Sequence, residues 1–279
     1  MRLVTVRTET GTSAGRLDDT EVVMLPFSDV GALLASGEDW PTRSGADGPR
    51  EPLDRSRLAP IVPSPAKVIC VGLNYLLHVR EGGGEVPSYP TLFAKYTDAL
   101  TGPYDEIALP AASPRVDWEA ELLVVIGRAV RNATEDEAAA AIAGFSIGND
   151  VSMRDWQRRT PQWLQGKTWE SCSPVGPALV TADEVGGVRP DLAISCLVDG
   201  ETMQDARTSD LLFDPVHVVA YASTIGTLRP GDLIFTGTPD GVGFARTPPI
   251  FIQDGQVVTT RIEGLGEMVN TFVAEKPRD

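Results

Sequence analysis

The chain has 279 residues, enough for one large domain or a medium domain with a small companion. Its 39 Asp and Glu outweigh 24 Lys and Arg to leave a formal charge of −15, which argues against nucleic acid or an anionic membrane as partner, since both need clustered basic side chains. With 42% hydrophobic and 23% charged residues it can bury a core, and its 27 glycines and 22 prolines predict a loop-rich, strand-heavy fold.

Residues 1 to about 60 read as short strands and turns. Leu3–Val6 is one strand, Glu21–Leu25 a second after the Asp18–Thr20 turn, and Asp29 to Ser36 a short helix. Trp40 to Pro49 has loop composition, and the proline-rich Arg57–Pro65 stretch reads as a linker. A boundary near residue 64 therefore separates a small N-terminal domain (1–64) from a larger one (65–279). Beyond it, Lys67–Gly72, Glu121–Ile126, Leu192–Val198 and Asp232–Thr236 are strands. Ala133 to Ala143 is a helix with Thr134 as N-cap and an acidic first turn, and Pro215 to Ile225 a second that stops at Gly226. Strands far outnumber helices without regular alternation, which disfavours Rossmann and TIM arrangements and predicts a β-rich α+β fold.

No apolar run approaches the roughly 18–20 residues of a membrane helix. The first residues alternate like a strand, without the apolar segment of a signal peptide. Cys70, Cys172 and Cys196 are widely spaced and odd in number, which predicts buried thiols in a reducing cytoplasm rather than disulfides or a zinc–thiolate site.

The strongest chemical feature is Asp117-Trp118-Glu119-Ala120-Glu121-Leu122. In a strand, residues two apart share a face, so Glu119 and Glu121 project side by side at the mouth of an apolar strand. Neighbouring carboxylates raise one another's pKa unless a cation lies between them. The alternatives are a hard-cation site and a solvated strand face. Asp150, ending another apolar stretch, supplies a third carboxylate. An all-oxygen set suits Mg²⁺, Mn²⁺ or Ca²⁺ rather than zinc, and three protein ligands leave positions for water and substrate.

Of the two histidines, His217 reads as a structural residue on its helix. His78 and Glu81 share a helical face, a general base with its orienting carboxylate or a solvated ion pair. Gly82-Gly83-Gly84 beyond them could hinge a lid. Lys167 is a surface charge or an anion clamp. Arg154 and Gln157, one turn past Asp150, are placed to bind a substrate carboxylate. Thr238, in Gly237-Thr238-Pro239-Asp240-Gly241, offers a hydroxyl in a tight turn that is neither a Walker nor a dinucleotide loop.

Taken in order, these segments resemble the fumarylacetoacetate hydrolase superfamily. The resemblance is carried by Val71-Gly72-Leu73-Asn74-Tyr75 with His78 and Glu81, Pro90 to Lys95, Asp117 to Leu122, Asn149 to Asp155, Gly166-Lys167, Gly176-Pro177, Pro230-Gly231-Asp232 and Thr236 to Pro239. It implies a β-rich fold with a mixed sheet rolled like a barrel, a homodimer, and one divalent metal, Mg²⁺ or Mn²⁺, held by Glu119, Glu121 and Asp150. It places His78 and Glu81 on a lid as a catalytic dyad, with Lys167 catalytic and Arg154, Gln157, Thr238 and Tyr75 contacting a small 2-oxo acid. Two departures, Thr168-Trp169-Glu170 for the usual Ser-Phe-Asp and Asp98 for a common Ser, bear on the substrate more than on the reaction. A cation that chelates a 2-oxo acid stabilises an enolate, so the expected activity is hydrolytic C–C cleavage of 2,4-dioxo acids such as acylpyruvates. Decarboxylation or isomerisation of oxaloacetate-like or 2-hydroxydienedioate acids is the enzymatic alternative, and a silent metal-binding scaffold the non-enzymatic one.

Overall fold

A computed structural model describes residues 1–276. The first segment contains β1 (Arg2–Thr8), β2 (Gly11–Asp18) and β3 (Glu21–Met24), then α1 (Val30–Ala35), α2 (Trp40–Ser44) and β4 (Arg50–Pro52). The sequence reading has no strand over 11–18, a stretch poor in β-branched apolar residues. It becomes one because β1 and β3 both pair with it, Val4 opposite Gly15 and Arg16 opposite Val23. The expected loop at 40–49 begins instead as α2, where Pro41 occupies the first turn at no hydrogen-bond cost and Trp40 is buried.

The larger segment continues with β5 (Val68–Gly72), α3 (Leu76–Glu81), β6 (Thr91–Lys95), β7 (Leu100–Thr101), β8 (Ile107–Leu109), β9 (Val116–Asp117) and β10 (Ala120–Ile126). Then come α4 (Glu135–Ala141), β11 (Ile142–Asn149), β12 (Ser152–Met153), α5 (Arg154–Gln157), α6 (Leu164–Lys167) and β13 (Ser173–Thr181). The last described elements are β14 (Ala193–Val198), β15 (Glu201–Arg207), α7 (Pro215–Ile225), β16 (Leu233–Phe235), β17 (Val257–Ile262) and β18 (Gly266–Ala274). Thr134 caps α4 in a reciprocal box with Glu137, and Asp214 caps α7, whose Pro215 stands in the first turn. Among the described residues no helix is long and apolar enough to cross a membrane.

One large sheet runs in the order β4-β3-β2-β1-β13-β11-β10-β16-β5-β6, antiparallel along this path except where β16 meets β5, with β7 attached parallel to β13. A five-stranded sheet, β15-β14-β17-β18-β8, completes a strand-rich α+β fold. β10 is buried along its whole length, as its apolar run requires. Ala120, Leu122, Val124 and Ile126 pack with Phe145, Ile194 and Phe272, whereas Leu123 and Val125 pack with Leu3, Leu33, Leu34 and Ile61. Glu119 and Glu121 continue that second face to the strand's open end.

The composition boundary near residue 64 is no boundary in the sheet. β1 pairs with β13, Leu3 opposite Leu179, and N-terminal side chains fill the core beneath β10. A chain beginning at residue 65 would open the β13 edge and uncover that apolar face, so it is expected to aggregate or to lack a cooperative melt. A monodisperse fragment with a sharp transition would contradict this.

Candidate active site and metal centre

The site forms where β10, β11, β6, α3, α5, α6 and the loop after β16 meet. Candidate ligand oxygens of Glu119, Glu121 and Asp150 all lie within 4.8 Å of one another, and all three residues are buried. Glu119 immediately precedes β10, and Asp150 follows β11. Asp150 N donates to Glu119 O at 2.8 Å and Glu119 N donates to Asn149 Oδ1 at 3.0 Å, which fixes the two strand ends together.

Cations surround part of this cluster. Lys167 Nζ lies 2.6 Å from Glu119 Oε2 and 3.0 Å from Asp150 Oδ2. Lys95 Nζ lies 2.5 Å from Asp150 Oδ1 and donates to the Lys167 carbonyl, so it also positions α6. Arg154 reaches Glu119 Oε1 at 2.6 Å through Nη1 and Asp117 Oδ2 at 2.7 Å through Nε. Burial opposes ionisation of Glu119, but Lys167 and Arg154 outweigh it and hold the carboxyl at about 2.

Glu121 differs. Among the described residues no Lys or Arg lies within ion-pair distance of it, and its one fixed donor is Gly237 N at 2.6 Å. Burial, with the charges of Asp150 and Glu119 beside it, pushes its pKa well above the ordinary carboxyl range. A buried carboxylate between two others and without a counter-ion is what a hard divalent cation would relieve, and three oxygen ligands fit such an ion. Gly237 can approach only as glycine. Its φ is +102°, and a Cβ there would lie 2.8 Å from Asn74 Cβ.

Above the carboxylates lies a cavity of about 170 Å³, lined among others by His78, Phe93, Glu119, Glu121, Arg154, Gln157, Arg158, Trp163, Lys167, Thr238 and Phe244. His78 Nδ1 is 2.8 Å from Glu81 Oε1, and Glu81 Oε2 accepts from Gly241 N at 3.0 Å, tying α3 to the loop after β16. Gln157 Oε1 accepts from Arg154 Nη1 at 2.9 Å, while Arg154 Nη2 is buried and, among the described residues, has no partner. Thr238 Oγ1 accepts from Gln204 Nε2 at 2.8 Å.

Of the residues named from sequence, Glu119, Glu121, Asp150, Lys167, Arg154, Gln157, Thr238, His78 and Glu81 thus converge. Tyr75 does not line the cavity; its buried hydroxyl feels the charge of Glu121 and, among the described residues, has no hydrogen-bond partner. Thr168, Trp169 and Asp98 do not line the cavity either; Thr168 Oγ1 accepts from Tyr96 N at 2.7 Å and Trp169 packs edge-on against Trp156. His217 is exposed on α7 and stacks on Phe213.

Sequence reasoning assigned no role to Lys95, Asp117 or Gln204. Asp117 accepts from Gly243 N at 2.7 Å and Phe244 N at 3.1 Å as well as from Arg154, so it sets the cavity wall. Gln204 accepts from Ala120 N at 2.9 Å and bridges β10 to Thr238. The available signal was a lysine ending an apolar strand and an aspartate preceding a buried tryptophan.

Glu119→Ala is expected to abolish Mg²⁺ or Mn²⁺ binding in a calorimetric titration; unchanged affinity would move the centre elsewhere. Glu121→Gln carries a second, signed expectation. With its folded pKa raised, Glu121 costs the metal-free protein stability as pH rises through that pKa. The variant should therefore melt higher than wild type at alkaline pH without metal, and the gap should close on acidification. A gap that widens in acid would contradict the assignment.

The family profile described as fumarylacetoacetate hydrolase, C-terminal, matches residues 67–273. A mitochondrial oxaloacetate tautomerase of Bos taurus is 47% identical over 218 residues, spanning 77% of this chain and 69% of that protein. The crystal structure of a 5-carboxymethyl-2-hydroxymuconate delta-isomerase from Mycobacterium smegmatis superposes with a TM-score of 0.79 at 34% identity, covering 99% of this chain and 100% of that one. A fumarylpyruvate hydrolase from Pseudomonas aeruginosa, in complex with Mn²⁺ and pyruvate, matches with a TM-score of 0.69 at 33% identity over 78% of this chain and 92% of that one. The chain belongs to the fumarylacetoacetate hydrolase family of enzymes.

Proposed function

We propose that this chain interconverts the enol and keto forms of a small 2-oxo diacid of the oxaloacetate type, supplied with a divalent cation at Glu119, Glu121 and Asp150. The observation that carries the reading is His78, held through Nδ1 by Glu81, on the wall of the same small cavity that Glu119 and Glu121 line. Kinship at 47% identity with an oxaloacetate tautomerase supports it.

Glu119, Glu121 and Asp150 would hold the cation, which would supply Lewis-acid stabilisation of the negative charge that develops when a proton leaves C3. With Nδ1 engaged by Glu81, His78 has Nε2 free to exchange a proton at C3. The C3–H electron pair becomes the C2=C3 bond, the carbonyl pair moves onto oxygen, and that oxygen takes up a proton. Nothing is oxidised and no water is consumed. Lys167 places positive charge beside the region where the oxygen gains electron density, and Arg154 with Gln157 orients the carboxylate.

Hydrolytic C–C cleavage is the second reading, favoured by the likeness to a fumarylpyruvate hydrolase. It uses the same dyad but asks His78 to activate a water and the cavity to admit an acyl group as well. At about 170 Å³ against roughly 300–1,000 Å³ for sites of drug-sized ligands, the cavity favours a substrate of few atoms with no second reactant.

Ultraviolet absorbance of the enol follows the reaction directly. Wild-type protein with Mg²⁺ should speed ketonisation of enol-oxaloacetate, EDTA should abolish the effect, and His78→Ala should cost on the order of a hundredfold or more. Acetate and pyruvate released from acetylpyruvate, with no effect on the enol, would replace the reading with hydrolysis.

A further inference from the structure

Phe244, on the loop after β16, has two guanidinium groups against its ring. The Cζ atoms of Arg154 and Arg158 each lie 4.4 Å from the ring centroid. Arg154 is buried and largely committed, to Asp117, Glu119 and Gln157. Arg158 is not. It stands at the C-terminal end of α5, lines the cavity from an exposed position, and among the described residues has no carboxylate within 4.0 Å. Its neighbour Arg159 instead lies over the Trp156 ring at 3.5 Å and does not line the cavity.

A guanidinium seated on an aromatic ring and left without a counter-ion beside a cavity is a preformed carboxylate site. Its planar fork offers two parallel donors, and the ring restricts its rotamers, so less side-chain entropy is lost when an anion arrives. The two guanidinium carbons are separated by at most twice 4.4 Å, close enough for both to reach one small diacid. In a chain of net charge −15, this cationic rim is a local reversal of sign that draws in a dianion.

We propose that Arg158 binds the second carboxylate of the substrate and makes the site select 2-oxo diacids over 2-oxo monoacids. This rests on the tautomerase reading of the site and deepens it. Arg158 makes no contact with the carboxylate trio, so it discriminates between substrates without holding the cation.

Calorimetric titration of the full chain supplied with Mg²⁺ tests it with malate and 2-hydroxybutanoate, unreactive ligands that differ by a carboxylate in place of a methyl group. Wild-type protein should hold malate at least about tenfold more tightly. Arg158→Gln should bring the ratio close to one by weakening malate alone, with the 2-hydroxybutanoate affinity serving as the folding control, and Arg158→Lys should recover part of the preference. Wild-type protein that holds the two alike or binds neither overturns the proposal, as does an Arg158→Gln variant that keeps the ratio or weakens both equally. The catalytic reading fails separately, in wild-type protein that prefers malate as stated yet does not ketonise enol-oxaloacetate.

Discussion

Everything at this site follows from burying four carboxylates, Asp117, Glu119, Glu121 and Asp150, at the mouth of one apolar strand. Removing a charge from water is expensive, and the structure offsets the cost for three of them with Lys95, Lys167 and Arg154. The fourth, Glu121, has among the described residues only a backbone amide. A fold that neutralised the cluster completely would leave no purchase for a cation. One short of neutral, it favours a proton or a divalent metal at the point where a chelating substrate would meet it.

The cavity is built on that cluster from segments far apart in sequence. Asp117 holds Arg154 on one side and the Gly243–Phe244 amides on the other. Gln204 crosses from the smaller sheet to fasten Ala120 to the Thr238 turn. Glu81 reaches the same loop through Gly241 N, so the helix bearing His78 is tied to it. The sheet order brings this about, since β10 lies between β11 and β16, and β16 lies beside β5, which leads into α3.

Much of this was legible before the structure. The period of two in Glu119-Ala120-Glu121 and the spacing of three between His78 and Glu81 are local geometry, and local geometry is what a sequence states directly. The helix cap at Thr134 is equally local. What stayed hidden depends on tertiary partners. β2 is a strand because of its neighbours, and Lys95 and Gln204 acquire roles only when distant strands close. The composition change near residue 64 looked like a boundary because proline-rich connections resemble linkers whether or not the strands they join share a sheet. The reaction type was hidden for a chemical reason, since hydrolysis, decarboxylation and tautomerisation of 2-oxo acids all pass through an enolate that the same residues stabilise.

The central claim is that Glu121 is the unbalanced charge a metal ion answers, and counting protons tests it most directly. Titrating the metal-free protein with Mn²⁺ in buffers of different ionisation enthalpy gives the number released per ion bound. Because its folded pKa is raised, the account predicts that Mn²⁺ displaces the Glu121 proton into the buffer, with the number released falling toward zero as pH rises through that pKa, and tighter binding at higher pH. Mn²⁺ binding with no proton exchanged at any pH, or undiminished in Glu121→Gln, would contradict it.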